Sequence, residues 1–138
     1  MTVSMEMMKA MPDAMSMSDM DMMAMQECID ACTACMQACT ISSDAMAASD
    51  MDGSGRCASM CANCADVCMT TMRMMMRPAG MDSMSMMAML EACVAMCRAC
   101  MAECMTHAEM SETCRLCAQA CQECITACEK MMAGMATA

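Results

Sequence analysis

Four runs of cysteine, stepped by three and four residues, constrain this chain more than any other feature. Cys28, Cys32, Cys35 and Cys39 read C-x3-C-x2-C-x3-C, as do Cys57, Cys61, Cys64 and Cys68, and again Cys93, Cys97, Cys100 and Cys104. The last run, Cys114, Cys117, Cys121, Cys124 and Cys128, keeps the alternation and adds one step. Together the runs hold all 17 cysteines. Steps of three and four place side chains on one face of an α-helix. At about 100° per residue, each of the first three runs falls within a wedge of about 60° and the fourth within about 80°. The spacing predicts four helices, each carrying one stripe of thiols.

Such helices need a core, and the supply of apolar residues is unusual. The 138 residues are 59% hydrophobic, yet they include 32 methionines, two leucines (Leu90 and Leu116) and no aromatic residue. The core must therefore be built from Met, Ala and Cys. Met is a good helix former and a flexible filler, so a helical core is feasible, although Met specifies unique packing poorly. The skew fits either selection for sulfur or replacement of large hydrophobes by Met, and the sequence leaves both open.

Punctuation marks the helix boundaries. Residues 1–17 form a Met-rich N-terminal segment, flexible or with a short helix over Val3–Met11, and residues 18–138 form the bundle. Ser16 or Ser18 can cap a helix with Asp19 and Asp21 in its first turn, the favoured sign there, running to about Thr40. Residues 41–55, with Gly53-Ser54-Gly55, read as a loop. A second helix runs from about Arg56 to Met76 and stops at Arg77-Pro78-Ala79-Gly80. Asp82 or Ser83 caps a third helix that ends near Thr106. After a turn at His107–Glu109, a fourth helix begins at Met110 or Ser111 and ends near Gly134.

The predicted fold class is all-α: an antiparallel up-down-up-down four-helix bundle with a cysteine-lined core and a short N-terminal helix. The stripes then converge on the axis as a tube of thiols about 17 Å long. If the helices alternate in direction, Met22, Met25, Met72, Met75, Met86, Met89, Met131, Met132 and Met135 meet at one end. At the opposite mouth lie Cys39, Cys57, Cys104, Cys114, the only histidine, His107, and Met110. The ordinary readings are a hydrophobic plug at the Met end, an exposed turn histidine, and a solvated acidic surface. For the stripes themselves the ordinary reading is a core of small hydrophobes, since free Cys is often buried. All 17 cysteines on such stripes favour metal ligation instead.

A net charge of −10 argues against nucleic-acid partners and against anionic membrane surfaces. Apolar stretches are interrupted by Asp, Glu and Arg before the length of a membrane span. The first 25 residues lack the apolar segment of a signal peptide, so a cytoplasmic, reducing setting is expected. The odd cysteine count and same-face clustering also disfavour a disulfide framework.

Thiolates select Cu(I), Zn(II) or Fe–S clusters. Zinc prefers closed sets of four ligands, and the spacing lacks the Cys-Pro ending common in Fe–S runs. A continuous column suits Cu(I), which accepts few ligands and lets thiolates bridge. Over roughly residues 26–134 the chain resembles the bacterial copper storage proteins. The likeness is closest in Cys28-Ile29-Asp30-Ala31-Cys32, in Cys64-Ala65-Asp66-Val67-Cys68, and in His107-Ala108-Glu109-Met110 leading into Cys114-Arg115-Leu116-Cys117.

That resemblance implies non-enzymatic storage of multiple Cu(I) ions in each bundle, loading through one end, and a homo-oligomer, often a tetramer; a copper chaperone or chelator is the expected partner for loading. His107 and Met110 match residues that assist entry. The sequence departs from the family in a long first inter-helix loop, in Cys61, and in Ser111 and Thr113, which stand where histidine can occur. Other readings are zinc or another soft metal on the same thiols, a designed Met-rich bundle with an inherited copper core, and a redox-active thiol protein. The last lacks a βαβ pattern or a basic activating cluster.

Overall fold

The stripes do form helices, and the helices alternate in direction. The computed structural model describes residues 3–11 and 19–136. Helix α1 spans Val3–Lys9, α2 Asp19–Ala47, α3 Ser54–Met75, α4 Ser83–Met105 and α5 Glu112–Ala136, with a 3-10 turn at Pro78–Gly80. Among the described residues there is no strand. Helix α2 packs on α3 and α5, and α4 packs on the same two, so the four long helices form a square with α2 and α4 on one diagonal. Every cysteine is buried on the axis.

Helix ends follow local chemistry. Asp82 caps α4 by accepting a hydrogen bond from the Ser85 amide at 2.9 Å. The Pro78–Gly80 turn stops α3 where Pro was expected to do so. The predicted caps Ser16 and Ser18, together with Pro12, lie outside the described residues. Helix α1 is anchored by Met8, its one buried residue.

Two expectations are corrected. Helix α2 does not stop near Thr40 but continues to Ala47, so the connection to α3 is short rather than long. The reason is that the stepping by three and four does not end at Cys39. It continues through Ser42 and Met46, both fully or almost fully buried. Ser43, next to Ser42, donates to the Ala58 carbonyl at 2.8 Å and ties the extra turns to α3.

Helix α4 is also long and apolar enough, by length and composition, to cross a membrane, despite Glu91, Arg98 and Glu103. Its cysteine face is packed inside the bundle. Ion pairs cross the outer surface at Arg98–Glu129 (3.0 Å) and Lys130–Glu27 (2.9 Å). At such exposure each contributes at most about 1 kcal/mol, so packing of the stripes holds the bundle together.

Candidate metal centre

The antiparallel register of α2 and α5 brings matched cysteines face to face. Sulfur–sulfur separations are 3.6 Å for Cys28–Cys128, 3.7 Å for Cys32–Cys124, 3.8 Å for Cys35–Cys121 and 3.6 Å for Cys39–Cys117. Helices α3 and α4 repeat the pattern at Cys61–Cys104 (3.7 Å), Cys64–Cys97 (3.8 Å) and Cys68–Cys97 (3.7 Å). Cys39 reaches across the diagonal to Cys100 at 3.9 Å. All 17 thiols are free.

These pairs assemble into tetrads whose sulfurs lie within 4.8 Å of one another. One is Cys32, Cys93, Cys124 and Cys128. Four others form a chain. Cys35, Cys64, Cys68 and Cys97 share Cys35 and Cys64 with the set Cys35, Cys39, Cys64 and Cys121. That set shares Cys39 and Cys121 with Cys39, Cys100, Cys117 and Cys121, which shares Cys100 and Cys117 with Cys61, Cys100, Cys104 and Cys117.

Neighbouring tetrads in this chain have an edge in common, and each of the five named draws its sulfurs from three helices. A tetrahedral ion with metal–sulfur bonds of about 2.3 Å needs sulfurs about 3.8 Å apart, so spacing alone admits zinc or copper. Sharing of edges is the feature that favours bridging thiolates.

Packing thiols this closely changes their acidity. Hydrogen bonding with Cys128 and then Cys32 holds Cys28 down to about 5. Cys35 is likewise lowered, chiefly by Cys121, whereas Cys121 is raised, chiefly through Cys100. Burial, followed by the neighbouring Cys114, pushes Cys57 up to about 11. A thiolate formed in this column is stabilised by its neighbours' S–H groups, and those neighbours hold their protons harder. A soft cation entering the column displaces the remaining protons.

The two ends differ in kind. At one end the stripes run on into Met22, Met25, Thr71, Met75, Met86, Leu90 and Met131, all buried. The expected thioethers Met72, Met89, Met132 and Met135 are only half-buried and lie to the side of the stripe. Leu90 and Thr71 take the axial places instead, because a step of three, not four, leads from Cys93 back to Leu90 and from Cys68 on to Thr71. Five of the expected methionines, Met22, Met25, Met75, Met86 and Met131, are buried here and close this end together with Leu90 and Thr71.

At the other end His107 is not exposed but 7% accessible. Its Nε2 lies 3.3 Å from Glu103 Oε2, and Glu103 Oε1 accepts from Arg56 Nε at 2.8 Å. Gly53 makes room for the ring. It has φ of +79°, and a Cβ there would meet His107 Cε1 at 3.4 Å. Met110 is 78% exposed and lines an open recess with Met51, Asp52, Gly53, Glu103 and His107.

Cys57 and Cys114 are close to this mouth, while Cys39 and Cys104 sit one layer deeper, against Cys117 and Cys61. The buried Ser42 Oγ of α2 lies 3.9 Å from Cys114 Sγ. Ser42 and Glu103 were missed from the sequence. Continuing the α2 stepping past Cys39 finds the first, and looking one turn before His107 finds the second.

Residues 21–133 match the family model described as copper storage protein. The fold is similar to that of the copper storage protein from Streptomyces lividans loaded with 10 copper equivalents, at 36% identity and a TM-score of 0.87, covering 95% of this chain and 98% of that one. A structure of the cytosolic copper storage protein from Streptomyces lividans with five coppers matches at 39% identity and a TM-score of 0.81, covering 84% and 98% of the two chains. A histidine-to-alanine variant of the Streptomyces lividans protein matches at 41% identity and 0.78, covering 81% and 94%. No curated protein matches this chain.

Proposed function

The chain belongs to the copper storage protein family, and we propose that its thiols act as one continuous, bridging Cu(I) store without enzymatic activity. The observation that carries this reading is the chain of edge-sharing tetrads. Separate four-ligand sites would use 17 thiols on about four ions, whereas shared thiolates admit more. All 17 cysteines on the stripes serve as ligands in this reading. The similarity to a protein described as cytosolic supports a cytoplasmic location.

An anaerobic titration of the reduced protein with Cu(I), against a competing chelator, is expected to saturate well above four equivalents. Saturation near four, with zinc preferred, would return the column to separate zinc sites.

His107 and Met110 are proposed to pass copper between the mouth and the column. The Glu103 carboxylate at His107 Nε2 and the exposed thioether of Met110 on the same recess support that role. In the same titration format, His107→Ala is expected to slow Cu(I) uptake or release with little loss of capacity. Equal rates in the variant and the parent would remove His107 from the route.

Loading from a copper chaperone or chelator belongs with this route. A homo-oligomer, a tetramer by resemblance, is supported by the exposed Ile41 and Leu116 that flank one apolar groove between α2 and α5. Sedimentation as a monomer at micromolar concentration would count against it.

A further inference from the structure

The α2 stripe contains one interruption that the copper reading does not use. Counting by three and four from Cys28 gives Cys32, Cys35, Cys39 and then Ser42, before Met46 closes the series. Ser42 is fully buried, and its Oγ faces Cys114 Sγ at 3.9 Å. Its position repeats, one step further along, the pairing by which Cys39 faces Cys117 at 3.6 Å. At each deeper level α2 offers α5 a sulfur. At this outermost level it offers a hydroxyl.

A serine hydroxyl keeps its proton at neutral pH and is a hard oxygen, so it is a poor ligand for Cu(I). A thiolate at the same place would be a good one. Cys57 and Cys114 are thereby left as the thiols of the mouth layer, without a third from α2. The next thiols inward, Cys61, Cys100, Cys104 and Cys117, form a complete tetrad.

Resting on the copper reading above, we propose that Ser42 sets the exchange site of the store. By withholding a sulfur from the outermost layer, it leaves copper at Cys57 and Cys114 one soft ligand short on the α2 side and dependent on Cys61 and Cys104 of the layer beneath, so that layer fills last and empties first. The deeper layers then hold copper while the mouth layer trades it with whatever arrives at the recess beside His107. The gap lies at the His107 end of the tube, where the recess lined by Glu103, His107 and Met110 opens.

The test replaces the hydroxyl by a thiol. Ser42→Cys changes one atom at a fully buried site, and its fold is checked by far-ultraviolet circular dichroism. In copper-loaded protein treated anaerobically with excess Cu(I) chelator, the first ions released by Ser42→Cys should leave at least about tenfold more slowly than those of the parent. Thr40→Cys, which adds a thiol to the exposed face of the same helix, should leave the release rate unchanged. Equal release from Ser42→Cys and the parent, or equal slowing by Thr40→Cys, overturns the proposal.

A second measurement needs no variant. Parent protein given half-saturating Cu(I) is alkylated with iodoacetamide and mapped by mass spectrometry. Cys57 and Cys114 should be the most heavily modified thiols, and protection of these two ahead of the deeper ones overturns the proposal. A parent that takes up no Cu(I) would instead defeat the storage reading on which the proposal rests.

Discussion

Saturating Cu(I) will raise the melting temperature of the reduced protein by more than about 10 °C. The reason lies in what fills the axis. With few branched side chains (Ile29, Leu90, Val94, Ile125) and no aromatic one, the core is mainly a column of cysteines capped by methionines. Cys is small, and Met adapts rather than locks, so the metal-free bundle is held by a core with little rigid complementarity. Each of the five named tetrads takes its sulfurs from three of the four long helices, so each ion bound there clamps elements that otherwise meet only through soft contacts.

Ligand linkage sets the scale. One site with free ion at a thousand times its dissociation constant stabilises the folded state by about 4 kcal/mol. In a domain of this length each kcal/mol moves the midpoint by about 3 °C. A single well-filled tetrad therefore accounts for the stated shift, and several filled tetrads exceed it. Anaerobic thermal melts followed by circular dichroism at 222 nm, with and without copper, measure it directly. Coincident melting curves would mean that copper does not bridge the helices, and the column would then be a core of small hydrophobes after all.

The reach of the sequence can be judged from the same stripes. Step spacing alone placed the cysteines on the axis, because a period of 3.6 leaves little choice of face once four positions in a helix must agree. The alternation of direction followed from short connections, and with it the distinction between a capped end and a mouth.

What sequence reading missed were residues that continue a stripe in a different chemical class. Ser42 and Met46 extend α2 inside a stretch whose Ser and Asp content reads as loop. Composition pointed outward there, but burial against Cys114 and the Ser43–Ala58 hydrogen bond decided for helix. Leu90 and Thr71 continue the alternation of steps, whereas Met89 and Met72 share with the stripe only their sulfur. The burial of His107 depends on Gly53 and Glu103, which come from two different elements. No local pattern in the chain announces that meeting.

Leu90 supplies the second large effect. Leu90→Ala is expected to destabilise the metal-free protein by about 2–5 kcal/mol, lowering its midpoint by about 6–15 °C. Leu90 is wholly inaccessible, as are Met25 and Met75, and Met86 is nearly so. It is the only leucine in the core, since Leu116 is exposed. Truncation removes buried apolar surface and leaves a cavity at the closed end. Flexible methionines around it can move partway in, which places the loss nearer the lower bound than in a core of rigid neighbours.

Met89→Ala, one residue away on the flank of the same helix, is the matched comparison. Met89 is half-buried, so its truncation should cost clearly less. Chemical denaturation of both variants without metal resolves the difference, and equal losses would return Met89 to the axis and Leu90 to the flank. Copper release offers an independent reading of the same residue. If the Leu90 end is a plug and the His107 end is the mouth, a closed cavity at the plug gives copper no path to solvent. Release to a chelator from fully loaded Leu90→Ala should then keep the rate of the parent. A faster release would show that the plug, and not the mouth, limits escape.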